Sequence, residues 1–441
     1  MREARASFPN QEESNVKRHS LSLLAVLVMV IAACGGGADT TTTAGATTTT
    51  AAATTTTAEA TTTTAGEVIE LLVWADEART PVIQEVAAAF TEATGVEVTV
   101  ETKEFGDIRD QMVELGPAGE GADVFIGAHD WTGQLAVSGV AAPIDLGSKS
   151  GDFESVALDA FSYAGDLYAV PYATEAIALY YNTDLVPEAP ATFEEIAGIC
   201  AGLADIQNCV GLPGGGDAPD AYHNYPFLSA LGGYIFAYDP ATGYDPADVG
   251  LDNEGAIAGI TFLQEQVDAG VIGATNYDVA KEWFLAGSQP FWMTGPWEVG
   301  NLNGQTTVNW SVTTIPTIQG NTAAPFVGAQ GFFLSAFTEN AVVAQSFLLD
   351  YIATQDAQQA LYDADPRNPA FTAVLDTLAD DPVASTFAAS AATGNPMPNI
   401  AEMSAVWAPL GENIQLVRNG ELDASEAMTV AAQAVRDAVA G

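Results

Sequence analysis

The sequence has 441 residues, of which 57 are acidic and only 12 are basic, so its formal net charge is −45 at pH 7. Too few Lys and Arg are present to neutralise phosphates, which excludes nucleic acid as a partner, and the negative field argues against docking on anionic lipid. Its 48% hydrophobic and 9% aromatic residues exceed those of a disordered acidic chain, and its length favours two domains.

The N-terminus has the pattern of an export signal. Lys17 and Arg18 precede an apolar run at 21–33, which is too short to cross a bilayer as a helix. The run ends at Cys34 in a pattern that resembles the bacterial lipobox. We therefore expect residues 1–33 to be a lipoprotein signal peptide and Cys34 to be lipidated; an ordinary cleaved signal with an incidental Cys is the alternative.

The segment after Cys34 is built almost only from Thr, Ala and Gly. It extends to about residue 66, contains four separate Thr runs and has no aromatic residue. Such a composition cannot offset the entropy lost on ordering, so residues 34–66 are predicted to form a flexible, membrane-anchored linker. Its threonines would also suit O-glycosylation, although a bare spacer is the simpler interpretation.

Strand and helix patterns alternate along the first part of the body. Such alternation favours an α/β fold with a parallel sheet covered on both faces, in which ligands lie beyond the carboxyl ends of the strands. The segments in chain order are a strand at 68–75, a helix opened by Pro81 and closed by Gly95, a strand at 96–100, a helix around 108–115 and a strand at 123–126.

The two remaining cysteines, Cys200 and Cys209, are separated by eight residues. Because the chain reads as exported, we expect a disulfide that contributes about 2–3 kcal/mol in the chain-entropy model; two buried thiols are the alternative. Beyond residue 33 only His129 and His223 could join them, and neither has the spacing of a metal ligand. No metal or cofactor is expected.

The strand ends and several later positions combine carboxylates with aromatic residues. Rings can cover the C–H faces of a sugar, while carboxylates or Arg hold pairs of its hydroxyls. These positions are Asp76, Glu77 and Arg79 after the first strand, Asp130 and Trp131 after the third, Glu175 just before a later apolar strand, Asp220, Tyr222 and His223 in mid-chain, Trp297, and Met397 with Trp407.

Some of these residue types have a structural explanation. Trp283, Trp292 and Trp310 are expected to be core residues, as most isolated tryptophans are. Asp76 could simply cap the helix that follows it.

Six stretches together carry a resemblance to a known family. They are Ala128-His129-Asp130, residues 180–187, Leu231-Gly232-Gly233-Tyr234, residues 248–253, Gly295-Pro296-Trp297 and Met397-Pro398-Asn399-Ile400. In this order they resemble the family 1 extracellular solute-binding proteins of ABC importers, in particular those that bind maltose and maltodextrins. The resemblance covers residues 68–438.

This resemblance implies the two-lobed, periplasmic-binding-protein-like (type II) α/β fold, which closes on its ligand about hinge crossings. The N-terminal lobe would comprise residues 67–173 and 332–376, and the C-terminal lobe 178–326 and 383–441. The crossings would lie near 173–177, 325–331 and 377–383.

The resemblance also implies roles for single residues. Asp130 and Glu175 fall on positions that hydrogen-bond sugar hydroxyls, with Asp76, Glu77 and Arg79 at the polar turn after the first strand. The remaining positions are Tyr222, Tyr277, Trp297 and Trp407 for ring stacking, Asp220 where the family has Glu, and Met397 in the pocket wall.

Several residues depart from the family pattern. Gly127 replaces a sugar-contacting Trp, Trp131 stands where the family has Arg, and Gly411 replaces another Arg. His223 replaces an aromatic ring, and Gln330 lies in a segment of different sequence that could face the sugar. A gluco-configured disaccharide or short α-glucan is expected, while trehalose, sucrose or another α-glucoside would also fit.

The implied function is therefore capture, not catalysis. The protein would bind a neutral oligosaccharide outside the membrane as a monomer and deliver it to the permease subunits of an ABC importer. An exported glycoside hydrolase is a remote alternative, since paired carboxylates beside aromatic rings also describe such enzymes. A surface adhesin or an importer-coupled sensor would use the same pocket.

Overall fold

The computed structural model of the protein describes residues 69–216, 218–273, 275–305 and 308–441, with only the backbone of Gln305. The expected signal peptide at 1–33, the lipidated Cys34 and the linker at 34–66 lie outside the described residues. In the part that is described, no helix combines the length and the apolar character that crossing a bilayer requires.

The described chain alternates short strands with helices. The strands are β1 (Glu70–Ala75), β2 (Glu97–Thr102), β3 (Val124–Ala128), β4 (Ala141–Ala142), β5 (Ser162–Tyr163), β6 (Asp166–Leu167), β7 (Ala169–Ala176), β8 (Ala178–Asn182), β9 (Val210–Gly211), β10 (Phe236–Asp239), β11 (Gly243–Val249), β12 (Phe291–Thr294), β13 (Trp310–Thr313), β14 (Phe326–Ser335), β15 (Asn368–Pro369) and β16 (Asn395–Pro396).

The α-helices are supplemented by short 3₁₀ turns and by a π-helical segment at Phe347–Ile352. They are α1 (Thr80–Thr94), α2 (Phe105–Leu115), α3 (Thr132–Val137), α4 (Ser155–Ala160), α5 (Phe193–Ala201), α6 (Tyr225–Ala230), α7 (Glu254–Asp268), α8 (Tyr277–Leu285), α9 (Val299–Gln305), α10 (Ala341–Ser346), α11 (Gln355–Ala364), α12 (Thr372–Leu375), α13 (Pro382–Ala392), α14 (Trp407–Arg418) and α15 (Ala424–Ala440).

The first helix begins and ends where the sequence predicts. Pro81 lies in the first turn of α1, where its missing N–H would have no partner inside the helix. Gly95 ends the helix with φ of 76°, and its N–H donates to the carbonyl of Thr91. Apolar residues on one side of the helix are buried, including Ile83 and, two turns later, Phe90, whose ring packs against Phe347 and Tyr351.

The larger sheet has eight strands and forms the first lobe with its helices. Its order is β15-β7-β14-β3-β1-β2, and β4 and β16 also pair with β14. The strands β2, β1 and β3 run parallel, as predicted, but β14 is antiparallel to both β3 and β7. The parallel arrangement expected for the first three strands is confirmed, and β14, which enters the sheet from the later part of the chain, makes the complete sheet mixed.

A second sheet of four strands forms the second lobe, in the order β13-β8-β12-β9. Here β8 is antiparallel to β12 and β13, while β12 is parallel to β9. The helices α7, α14 and α15 pack together in this lobe. Trp292 of β12 is fully buried against Tyr180 and Phe284, as the core interpretation of this residue predicts.

Each lobe has its own hydrophobic core. One core cluster draws on residues 71–173 and 329–374, and the other on residues 177–326 and 397–435. Only Ile177 separates β7 of the first sheet from β8 of the second. Strand β14 begins at Phe326, a residue of the second core, and continues through the first sheet. The chain thus crosses between the lobes at these two strands.

In the second lobe, Cys200 at the end of α5 is bonded to Cys209 just before β9. Their Cα atoms are 5.8 Å apart. The bond ties the helix to the loop that precedes the strand.

Candidate functional site

Polar side chains from the first lobe meet aromatic side chains from the second between the two sheets. Asp130 follows β3, while Glu175 lies on β7 and Gln330 on β14, all three buried. Across from them Trp297 follows β12 and Trp407 begins α14. We call this region the interlobe cleft. Asp130 and Glu175 lie at or near the carboxyl ends of β3 and β7, and the antiparallel β14 between these strands brings Gln330 to the same edge of the sheet. These residues are far apart in sequence.

A chain of alternating charges lines the first-lobe side of the cleft. Arg79 is ion-paired with Asp76 and Asp365. Arg367 is paired with Asp365 and with Glu175, which also accepts a hydrogen bond of 2.9 Å from the Gln330 side chain. Burial of these groups is tolerated because each charge has an opposite partner. Arg79 is only 2% exposed and lies over the ring of Tyr172.

The sequence does not predict that Asp365 and Arg367 belong to this row of ion pairs. Burial would raise the pKa of Asp365, but the charges of Arg367 and Arg79 hold it below its usual value. Arg367 lies 192 residues from Glu175, after α11, so only the folded chain reveals their contact. In the sequence, the only local indication of an ion pair here is that an acidic and a basic residue, Asp365 and Arg367, flank Pro366 just after α11.

Two contacts cross the cleft directly. The indole N–H of Trp407 donates to Oδ2 of Asp130 over 3.1 Å. The guanidinium carbon of Arg367 lies 5.3 Å from the ring centroid of Trp297. Burial raises the pKa of Asp130 to about 6, against the hydrogen bond from Trp407. Both tryptophans predicted to stack on sugar therefore face charged groups of the other lobe.

Aromatic rings cluster on the second-lobe side. The ring centroid of Tyr222 lies 5.5 Å from that of His223 and 6.1 Å from that of Trp297. The His223 ring also packs edge-on against Trp297, at 5.9 Å. The hydroxyl of Tyr222 is buried and has no hydrogen-bond partner among the described residues. An unsatisfied buried hydroxyl costs free energy, which a ligand hydroxyl would recover.

Asp220 and His223 form a hydrogen-bonded pair at the cleft edge. Nδ1 of His223 lies 2.7 Å from Oδ2 of Asp220, whose other oxygen accepts from the His223 backbone N–H. Burial would raise the pKa of Asp220, but the contact with His223 lowers it below its usual value. The carboxylate of Asp220 is thus held by His223, three residues later in the same loop.

Tyr277 and Met397 are also placed at the cleft. The Tyr277 hydroxyl contacts Trp297 and Glu298. Met397 is buried, and a β-carbon placed at Gly328 would touch both its side chain, at 3.4 Å, and that of Glu175, at 3.0 Å. Gly411 lies near Asp220, with room for a side chain at ordinary contact distance.

Trp131 and Glu77 are not brought into this group. Trp131 is 7% exposed and belongs to the first core, where its ring packs 5.1 Å from that of Phe105. A β-carbon at Gly127 would lie only 2.6 Å from the Trp131 ring, so the ring occupies the space beside that glycine. Glu77 is exposed. The ring of Trp131 is therefore largely covered by the first core.

A separate cavity of about 980 Å³ lies beside the crossing strands. It is lined by Tyr163, Tyr234, Tyr244 and Asn399 among others, and of the predicted ligand residues only Met397 reaches it. The paired charges and the aromatic rings described above converge in the interlobe cleft and not in this cavity. Across the described ranges, His, Cys, Asp and Glu side chains form no group of three that could hold a metal ion.

Comparisons with known proteins give a consistent result. Residues 85–391 match the family model described as bacterial extracellular solute-binding protein. The chain is 29% identical over 385 residues to the galactooligosaccharide-binding protein of Bacillus subtilis, covering 83% of this chain and 89% of that protein.

Two further relatives have different names. A maltooligosaccharide ABC transporter solute-binding lipoprotein of Streptococcus pneumoniae strain R6 is 28% identical over 390 residues, 85% of this chain and 90% of that one. The maltotriose-binding protein of Pyrococcus abyssi is 29% identical over 324 residues, 71% of this chain and 68% of the relative.

Proposed function

The chain belongs to the bacterial extracellular solute-binding proteins, and from that membership we propose that it captures a neutral oligosaccharide for an ABC importer. Members of the family and the relatives above bind substrates and are not enzymes, so the hydrolase alternative is set aside. The observation that carries the proposal is the meeting of Asp130 and Glu175 with Trp297, Trp407 and Tyr222 in one cleft.

The cleft chemistry suits a neutral polyhydroxylated ligand. Paired carboxylates accept hydrogen bonds from hydroxyl pairs, and flat rings cover C–H faces. A strongly acidic protein would repel an anionic ligand but leave a neutral one unaffected. We propose maltose or a short α-glucan as ligand. Trehalose and sucrose remain as candidates from the sequence, and the first relative named above adds galactooligosaccharides.

Closure about the crossing strands is part of the proposal. The lobes at 67–173 with 332–376, and at 178–326 with 383–441, would close on the sugar by rotation at 173–177, 325–331 and 377–383. Contributions from both lobes to one site support this, because a ligand that contacts both favours the closed form.

We also propose that the protein is a monomeric lipoprotein, held outside the cell membrane by a lipid on Cys34 and the linker at 34–66. A lipid carries the protein to the membrane without a spanning helix. The relative from Streptococcus pneumoniae is itself named as a lipoprotein. Mass spectrometry of the membrane fraction should find a diacylglyceryl group at Cys34, and finding Cys34 in the released protein without lipid would contradict this.

Calorimetric titration tests the binding function. The purified protein is titrated with maltose, maltotriose, trehalose, sucrose, cellobiose and a β-1,4-galactotriose. Binding of any of these at micromolar concentration supports capture and identifies the class, while no binding by all of them at millimolar concentration contradicts it.

A single substitution tests the site. Trp297→Ala should weaken binding of the preferred sugar by about tenfold or more, because a stacked ring is lost. The control is Tyr238→Ala, which removes an aromatic ring that is 62% exposed on β10. Equal affinities of the two variants would remove Trp297 from the site.

A further inference from the structure

The turn after β12 sends two neighbouring side chains in different directions. Trp297 is half-buried and faces the ring cluster of the cleft, whereas Glu298 is 3% exposed. The Trp297 ring lies against the backbone of Gly295, where a β-carbon would come within 2.1 Å of it. The Gly295 backbone thus limits the movement of the ring on one side, and a hydrogen bond holds its N–H edge.

Two successive hydrogen bonds connect the Trp297 ring to the buried carboxylate of Glu298 through Tyr277. The indole N–H of Trp297 donates to the hydroxyl oxygen of Tyr277 over 2.6 Å. That hydroxyl lies 2.6 Å from Oε1 of Glu298. The other oxygen of Glu298 lies 3.0 Å from Nζ of Lys281 and accepts from the Asn301 amide over 2.9 Å. The carboxylate is therefore anchored by both α8 and α9.

The direction of each hydrogen bond follows from the groups themselves. An indole N–H can only donate, so the Tyr277 oxygen must accept from Trp297. The carboxylate of Glu298, which is paired with Lys281, can only accept. The Tyr277 hydroxyl therefore donates its one hydrogen bond to Glu298. That proton is then unavailable to a ligand. Tyr277 acts as a link between Glu298 and Trp297 instead of a free donor.

We propose that Glu298 is a positioning residue that fixes the stacking ring of Trp297 through Tyr277, an inference that rests on the proposed sugar site. Without the carboxylate, the Tyr277 hydroxyl would turn toward other acceptors, such as Thr294 at 3.1 Å, and the indole would lose its fixed partner. Part of the binding free energy would then be spent on ordering the ring.

A double-mutant cycle tests this. The variants are Glu298→Ala, Trp297→Ala and the pair, titrated with maltotriose and with β-1,4-galactotriose. Glu298→Ala should weaken binding by about fivefold to tenfold in the presence of Trp297, the usual effect of breaking a buried hydrogen-bond chain. In the Trp297→Ala background it should have almost no further effect. An equal loss in both backgrounds would overturn the proposal, since a purely structural role is independent of the ring.

Two further variants guard against misfolding. Glu298→Gln keeps an acceptor oxygen for Tyr277 and should restore affinity to within about threefold of the wild type, whereas Tyr277→Phe should reproduce the loss. The matched control is Glu282→Ala, which removes an exposed carboxylate of α8 and should change nothing. Failure of Tyr277→Phe to weaken binding would also overturn the proposal.

A spectroscopic measurement follows the ring directly. The emission of Trp297 is obtained as the difference between the wild type and Trp297→Phe, and again between Glu298→Ala and its Trp297→Phe counterpart. The second difference spectrum should be shifted, since the indole has lost its ordered partner; identical difference spectra contradict the proposal.

If the wild type binds no sugar of the panel, the proposed function fails and this inference with it. If the wild type binds but the cycle shows no coupling, only this inference fails.

Discussion

At the scale of single residues, His129 and Asp130 are neighbours with opposite responses to pH. The Nε2 atom of His129 lies 3.0 Å from the Met397 carbonyl, and its Nδ1 accepts from the Ala329 N–H over 3.0 Å. This arrangement requires neutral imidazole with its proton on Nε2. Burial lowers the pKa of His129 to about 4, whereas burial raises that of Asp130 to about 6.

The two shifts have opposite consequences for stability. Between about pH 4 and 6.5 the unfolded chain binds more protons at His129 than the folded chain, so this residue makes stability rise with pH. Between about pH 4 and 6 the folded chain binds more protons at Asp130, so this residue makes stability fall. In the wild type the two slopes largely cancel.

Replacing Asp130 should expose the His129 slope. The free energy of unfolding of Asp130→Asn, relative to the wild type, should increase by about 2 kcal/mol between pH 4 and 7. His129→Asn should change in the opposite direction over the same range. Urea denaturation at several pH values measures both differences, and differences that do not vary with pH would show that neither residue titrates abnormally.

At the scale of elements, the packing of α7 on α6 depends on a glycine. Gly259 lies inside α7, where glycine is a poor helix former, yet a β-carbon there would come within 2.1 Å of the Phe227 carbonyl oxygen. Close approach of the two helices, not backbone conformation, is therefore what requires glycine.

Two alanine substitutions separate these effects. Gly259→Ala should destabilise the protein by about 1–3 kcal/mol, because the helices must move apart. Gly198→Ala in α5, where a β-carbon meets no atom within 4 Å, should stabilise it by roughly 0.5–1 kcal/mol through helix propensity. Denaturant unfolding compares the two, and a change of the same sign in both would contradict the packing argument.

At the scale of the whole molecule, the net charge of −45 works against the folded state. Repulsion among like charges is strongest when the chain is compact, and salt screens it over about 10 Å at 0.1 M. The thermal unfolding midpoint should therefore rise as NaCl increases from about 0.02 M to 0.5 M. Differential scanning fluorimetry tests this, and a midpoint that falls steadily with salt would mean that attractive ion pairs dominate.

The sequence predicts the features that depend on local order. The apolar run before Asp130 identifies the end of β3, and Pro81 and Gly95 mark the two ends of α1. The sequence does not predict contacts that depend on how distant segments pair in the sheet. Arg367 reaches Glu175 because β15 pairs with β7, and β14 is antiparallel because it returns from the second lobe. No periodicity contains this information, since these pairings join segments more than 150 residues apart.

The sequence also does not reveal the hydrogen bonding of one predicted site residue, Tyr277. The family pattern predicts Tyr277 at the cleft. Its hydroxyl, however, donates its hydrogen bond to Glu298, a residue that the pattern does not single out. A single side-chain contact thus decides what a correctly located residue can do.

The packing of Trp131 beside Gly127 couples the side chains that these two positions can carry. Large side chains at both would overfill the space, because the β-carbon of residue 127 alone already comes within 2.6 Å of the Trp131 ring. A tryptophan at position 127 therefore requires a smaller or displaced side chain at position 131. The two positions act as one unit of volume, so a redesign of this side of the cleft has to change them together.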